Sequence, residues 1–140
     1  MILRRATTYL RQFVDKIEQN KAVLIVQGAR QVGKTHLIEA MLSELQDKFI
    51  LKFNLERDVL IRAAIDQCRD FQEFNTFLKS RGLKDSNNSI LFIDEAQESE
   101  KLGSFVRFMK EEWKNISVIL SGSSITKLFN SDVRVPVGLL

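Results

Sequence analysis

Cys68 is the only cysteine of the chain and His36 the only histidine. A single thiol makes no internal disulfide and no cysteine-based metal site. It fits a reducing compartment, and a cytoplasmic location is expected. With no second histidine and no cysteine near His36, a zinc site is not expected either. No apolar stretch approaches the roughly 20 residues that a membrane span needs. Met1-Ile2-Leu3-Arg4-Arg5 has no apolar segment behind it of the kind a secretory signal carries, so no membrane partner is expected. Positive charge is not concentrated: 21 Lys and Arg against 18 Asp and Glu leave a net charge of +3. The densest basic cluster is Arg4-Arg5, and charge alone does not indicate nucleic acid. Tyr and Trp occur once each against ten Phe, which predicts a core filled by apolar rings.

Apolar residues make up 44% of the chain and charged residues 28%, the balance of an ordinary globular protein. The 140 residues suffice for one domain with a substantial core. Residues 28 to 35 read Gly-Ala-Arg-Gln-Val-Gly-Lys-Thr, directly after the apolar run Ala22-Val23-Leu24-Ile25-Val26. The order strand, Gly-x-x-x-x-Gly-Lys-[Ser/Thr], helix is that of a phosphate-binding P-loop. It names a ligand class, a nucleoside triphosphate with magnesium.

Leu3, Ala6, Leu10, Phe13, Val14 and Ile17 recur at helical spacing and predict an amphipathic helix over residues 2 to 19. The apolar run 22–26 predicts a strand buried on both faces. A helix follows from near Gly33, with Leu37, Ile38, Met41, Leu42 and Leu45 inward. Phe49 to Leu55 predicts a second strand. Residues 58 to 81 predict helix, in one piece or two. Asp85 to Ser89 predicts a turn and Ile90-Leu91-Phe92-Ile93 a third strand. Leu102, Phe105, Val106, Met109 and Trp113 mark another inward helix face. Val118-Ile119-Leu120 predicts a fourth strand, and a fifth begins in Arg134-Val135-Pro136-Val137. Strands alternating with helices predict an α/β fold, a parallel sheet with covered faces and the loop strand near its centre. This is the three-layer αβα arrangement of a P-loop NTPase. No repeat or linker interrupts the chain, so residues 1–140 are expected to form a single domain. In it a helix over 1–20 precedes a nucleotide-binding core over 21–140.

The loop works through its backbone. Its amides, from Gly28 through Ala29, Arg30, Gln31, Val32 and Gly33 to Lys34, Thr35 and His36, converge on the phosphates, and the helix N-terminus adds partial positive charge. Lys34 is expected to reach the β- and γ-phosphates, and the Thr35 hydroxyl to ligate Mg²⁺. Ile90-Leu91-Phe92-Ile93-Asp94-Glu95 ends an apolar strand in two acids, at the strand terminus where ligands sit in open α/β sheets. Asp94 suits the magnesium and Glu95 the polarisation of an attacking water. A small-molecule kinase gains nothing from such a base, whereas a hydrolase needs one. Val118 to Ser124 ends a strand in small hydroxyl residues. Ser123 is the choice for sensing the γ-phosphate, with Ser121 second; an ordinary Gly-Ser turn explains those residues equally well.

Taken together, these three motifs resemble the AAA-type ATPase domain of a large prokaryotic family whose members carry a second, poorly characterised domain toward the C-terminus. The likeness rests on Gly28 to Thr35, on Phe92-Ile93-Asp94-Glu95-Ala96-Gln97 and on Leu120-Ser121-Gly122-Ser123-Ser124. Arg134 to Gly138 looks like the stretch that leads into the family's fifth strand. The resemblance implies ATP binding and Mg²⁺-dependent ATP hydrolysis by an AAA-like domain. The alternative is a nucleotide-dependent switch with little intrinsic hydrolysis. The family continues into a helical lid and the further domain, and usually has a basic residue where Leu139 stands. The sequence is therefore expected to represent a C-terminally truncated domain. Its expected partners, besides ATP, are a second copy, which an exposed sheet edge would favour, or the missing C-terminal domain. Arg107 and Arg134 are candidates for an arginine finger, and nothing in the sequence selects either. Arg30 is as readily a solvated arginine as a phosphate or subunit contact. Cys68 and Trp113 read as core residues.

Overall fold

The computed structural model describes residues 23–27, 38–40, 42–43, 48–85, 89–128 and 137–139. The helix expected over residues 2 to 19 lies outside them. Five described strands form one sheet: β1 (Val23–Gln27), β2 (Phe49–Asn54), β3 (Ser89–Asp94), β4 (Ile116–Gly122) and β5 (Val137–Leu139), in the order β2-β3-β4-β1-β5. Every pairing is parallel. The middle strand is β4, and β1 stands beside it, flanked on its other side by β5. The strand that leads into residues 28–35 is thus interior, one place from the edge.

All six residues of β3 and all seven of β4 are buried. Strands covered on both faces read as continuous apolar runs, which is why they were legible. On one face Val23, Ile25, Leu91, Ile93, Val118 and Leu120 join a single core with Phe71, Phe74, Phe105, Met109 and Trp113. The alternate residues Leu24, Val26, Ile90, Phe92 and Ile119 are at most 2% exposed, so the second face is covered as well. This is the three-layer αβα fold that the sequence predicts. The edge strand β2 is half-exposed, and Lys52 on it pairs with Glu39 at 2.9 Å; a charge on an edge strand discourages pairing with another sheet.

The helical stretch 58 to 81 is two helices, α1 (Val59–Asp66) and α2 (Phe71–Ser80). The break has a local cause. Asp70 accepts the Glu73 N–H at 2.9 Å, and Glu73 reaches back to the Arg69 N–H at 2.7 Å. This reciprocal cap satisfies two amides that a continuous helix would have to bond otherwise. A further helix, α3 (Leu102–Glu112), ends at Trp113, which is buried and donates Nε1–H to Asn75 Oδ1. Strand β4 extends by two residues at each end beyond Val118–Leu120, because β3 pairs with Ile116 and Ser117 while β1 pairs with Ser121 and Gly122. Among the described residues no helix is long and apolar enough to cross a membrane.

Candidate functional site

In a parallel sheet every strand delivers its last residue to the same edge. Register sets Asn54 beside Asp94, and Gln27 beside Gly122. The carboxyl ends of β1, β3 and β4 therefore meet where open α/β sheets hold ligands. In the sequence, residues 28–35 follow directly after β1. Gly28, Ala29, Arg30, Gln31, Val32, Gly33, Lys34, Thr35 and His36 lie outside the described residues. The acidic motif and the β4 tip are described in full.

Asp94 is the last residue of β3 and is 4% exposed. Its Oδ1 accepts the Ser121 hydroxyl at 2.7 Å and the Glu95 N–H at 2.9 Å. Ser121, fully buried, came second in the sequence-based choice of a phosphate sensor; here it anchors Asp94. Glu95 is 5% exposed and adopts φ 49° and ψ 47°. It is the one described non-glycine residue with a positive φ, a conformation that disfavours a side chain by about 1–2 kcal/mol. The turn carries Glu95 out of the strand path, so the two adjacent acids are held by different groups. Glu95 Oε1 accepts Gln97 Nε2 at 2.8 Å, the Ser123 N–H at 3.2 Å and the Ser123 hydroxyl at 3.3 Å. Ser123 thus meets the acid expected to act on water.

Sequence reasoning missed the roles of Gln97 and Gly122. Gln97 lies in the short 3₁₀ turn Ala96–Glu98, and its amide rests against Gly122 so closely that a Cβ there would overlap it. The signal was present in Asp94-Glu95-Ala96-Gln97, but only the left-handed turn at Glu95 folds the amide back over the carboxylate. Among the described residues, two amide oxygens, Gln27 Oε1 and Gln97 Oε1, are buried without a hydrogen-bond partner. A second support lies behind the acids. The Ser99 hydroxyl donates to Asp66 Oδ1 at 2.5 Å and itself accepts the Leu102 N–H, while Lys101 N–H also donates to Asp66. Arg62 on α1 faces Glu98 at 3.6 Å. The segment after Glu95 is therefore tied to the end of α1.

Among the described residues no group of three His, Cys, Asp or Glu is arranged to hold a metal. Magnesium does not need one: it is commonly held by one or two carboxylates together with waters and substrate phosphates. A lone carboxylate at the strand end, steadied by a serine hydroxyl and an amide, fits that donor set. Cys68 is buried, its thiol donates to the Ala64 carbonyl, and burial raises its pKa. It takes no part in this edge of the sheet.

A family model described as an AAA domain matches residues 19–138. No curated protein matches the chain. Among solved structures it is similar to PCH-2 of C. elegans, with a TM-score of 0.57 at 10% identity over 97% of this chain and 42% of that one. It is also similar to the ORC2 protein of Aeropyrum pernix, a structure of ADPNP-ADP complexes, with a TM-score of 0.50 at 14% identity over 89% of this chain and 41% of that one. At such identities the likeness speaks to the fold. The chain spans about two fifths of the length of each, at 42% and 41%.

Proposed function

The chain belongs to the AAA domain family, and on that basis we propose that it binds ATP with Mg²⁺ and hydrolyses the β–γ phosphoanhydride. The single observation that supports this best is the acid pair at the end of β3, each member held by its own serine of the β4 tip. In the proposed roles, residues 28 to 36 cradle the phosphates through backbone amides and Lys34 balances charge on the β- and γ-phosphates. Thr35 and Asp94 hold the metal. When bound, Mg²⁺ neutralises charge on the phosphate oxygens. Glu95 orients a water in line with the γ-phosphorus and takes its proton as the new P–O bond forms; the electron pair of the broken bond leaves with ADP. Ser123, whose hydroxyl meets that acid, senses the γ-phosphate by donating to it in place of Glu95. The proposed unit is one domain over residues 1–140, working in the cytoplasm beside a second copy or a C-terminal domain.

The test is titration with a fluorescent ATP analogue, with and without Mg²⁺, followed by turnover measurements. Wild type binds with Mg²⁺ assistance, and Lys34→Ala loses that binding. Glu95→Gln keeps the binding and lowers turnover about 10²–10⁴-fold. Equal turnover of wild type and Glu95→Gln would replace the hydrolase with a nucleotide-dependent switch. Failure of a folded wild type to bind would remove both.

A further inference from the structure

We propose that Gln97 is a positioning residue for Glu95, an inference that rests on the hydrolytic reading above. Its Nε2 donates to Glu95 Oε1 at 2.8 Å, closer than the Ser123 N–H and hydroxyl at 3.2 and 3.3 Å. The other end of the same amide is buried against Gly122 with no partner for Oε1. Turning the amide around would set its carbonyl against an ionised carboxylate, acceptor against acceptor. The charge on Glu95 therefore fixes the amide in the orientation that orphans its oxygen.

Buried, unpaired carbonyls are rare in folded proteins and call for a reason. An apolar side chain at position 97 would leave no orphaned oxygen there, and Glu95 would keep its donors from Ser123. A further unfavourable feature belongs to the same carboxylate, the left-handed backbone of Glu95, and Gly122 packs so closely on the Gln97 amide that no side chain fits there. Such features concentrate where geometry is held for chemistry. The left-handed turn brings the residue two places on back over the carboxylate, and Gly122 leaves room for its amide. Gln97 then fixes the direction in which Glu95 faces its water, and misplacement of a reacting group by about 1 Å lowers rates on the order of 100-fold.

The experiment compares Gln97→Ala, Gln97→Met, Gly122→Ala and the double variant Gln97→Ala/Gly122→Ala with wild type. It reads kcat, the affinity for ATP, and the melting temperature. Gln97→Ala and Gln97→Met lower kcat about 10- to 100-fold, as expected for a lost hydrogen bond to a charged group. Their ATP affinity stays at the wild-type value. The Gln97→Met melting temperature equals or exceeds wild type, which a merely structural residue would not allow. Gly122→Ala displaces the amide and lowers kcat similarly, and the double variant is no slower than Gln97→Ala. Wild-type or faster turnover in Gln97→Met overturns the proposal and leaves the hydrolytic reading standing. So does a loss of kcat accompanied by matching losses of affinity and melting temperature. Absence of Glu95-dependent turnover in the wild type overturns both.

Discussion

Beneath α2 and α3, Phe74 and Phe105 stack with ring centroids 4.7 Å apart, and Phe71 packs on Trp113 at 5.5 Å. At the carboxyl end of β3, burial just as deep is given to Asp94 and Glu95. In the aromatic layer the one polar edge, the Trp113 N–H, has its acceptor in Asn75. At the acid end a left-handed glutamate and the unpartnered amide oxygen of Gln97 lie two residues apart. Local preferences agree with the fold in the first region and oppose it in the second. The aromatic layer supplies stability, and the acid end consumes part of it to hold two carboxylates at fixed angles.

That division predicts opposite responses to substitution. Phe74, fully buried among rings, is the most sensitive position: Phe74→Ala destabilises by about 3–5 kcal/mol, read by denaturant unfolding, while the folded fraction keeps its nucleotide affinity. Ser121→Ala leaves Asp94 short of a buried donor. A loss of about 1–3 kcal/mol is expected, with a higher Mg²⁺ concentration needed for half-maximal turnover. If Ser121→Ala moves stability alone, Asp94 belongs with the packing and not with the chemistry. Asp66→Ala cuts the tie between the end of α1 and the segment that follows Glu95. It lowers stability by about 1 kcal/mol and speeds hydrogen exchange at the Lys101 and Leu102 amides, with the aromatic layer still protected.

The smallest effect is a pH dependence at the start of α2, outside its ring packing. The hydrogen bond from Arg69, helped by its backbone amide and its charge, holds the Glu73 carboxyl below the ordinary carboxylate range. A folded-state value below the unfolded one contributes stability above the unfolded value and loses it as pH falls through the folded one. The melting-temperature gap between wild type and Glu73→Gln therefore narrows on acidification. Exposed ion pairs contribute little, so the gap is small at every pH.

The sequence made the aromatic layer and the buried strands legible because each writes a pattern of its own. A strand covered on both faces spells itself as an apolar run, and α2 and α3 show their inward faces every third or fourth residue. The break between α1 and α2 could have been placed from Asp70 and Glu73, whose spacing is that of a reciprocal cap. The ends of β4 could not, because Ile116, Ser117, Ser121 and Gly122 are ordered by their neighbours in the sheet. Asp94 and Glu95 were legible as the end of an apolar run. What holds them was not: Ser121 comes from β4 and Ser123 from the turn that follows it, and Gln97 acts only through a turn that no propensity favours.

The left-handed turn at Glu95 has a consequence for anyone improving this protein by screening. Most natural chains lie below their stability optimum, and relief of local conflict raises the melting temperature. Here glycine at position 95 would release the backbone, and a thioether or aliphatic chain at position 97 would remove an orphaned oxygen. A screen that rewards heat resistance alone is drawn to these two positions, and its thermostable winners would have lost the acid or the amide that aims it.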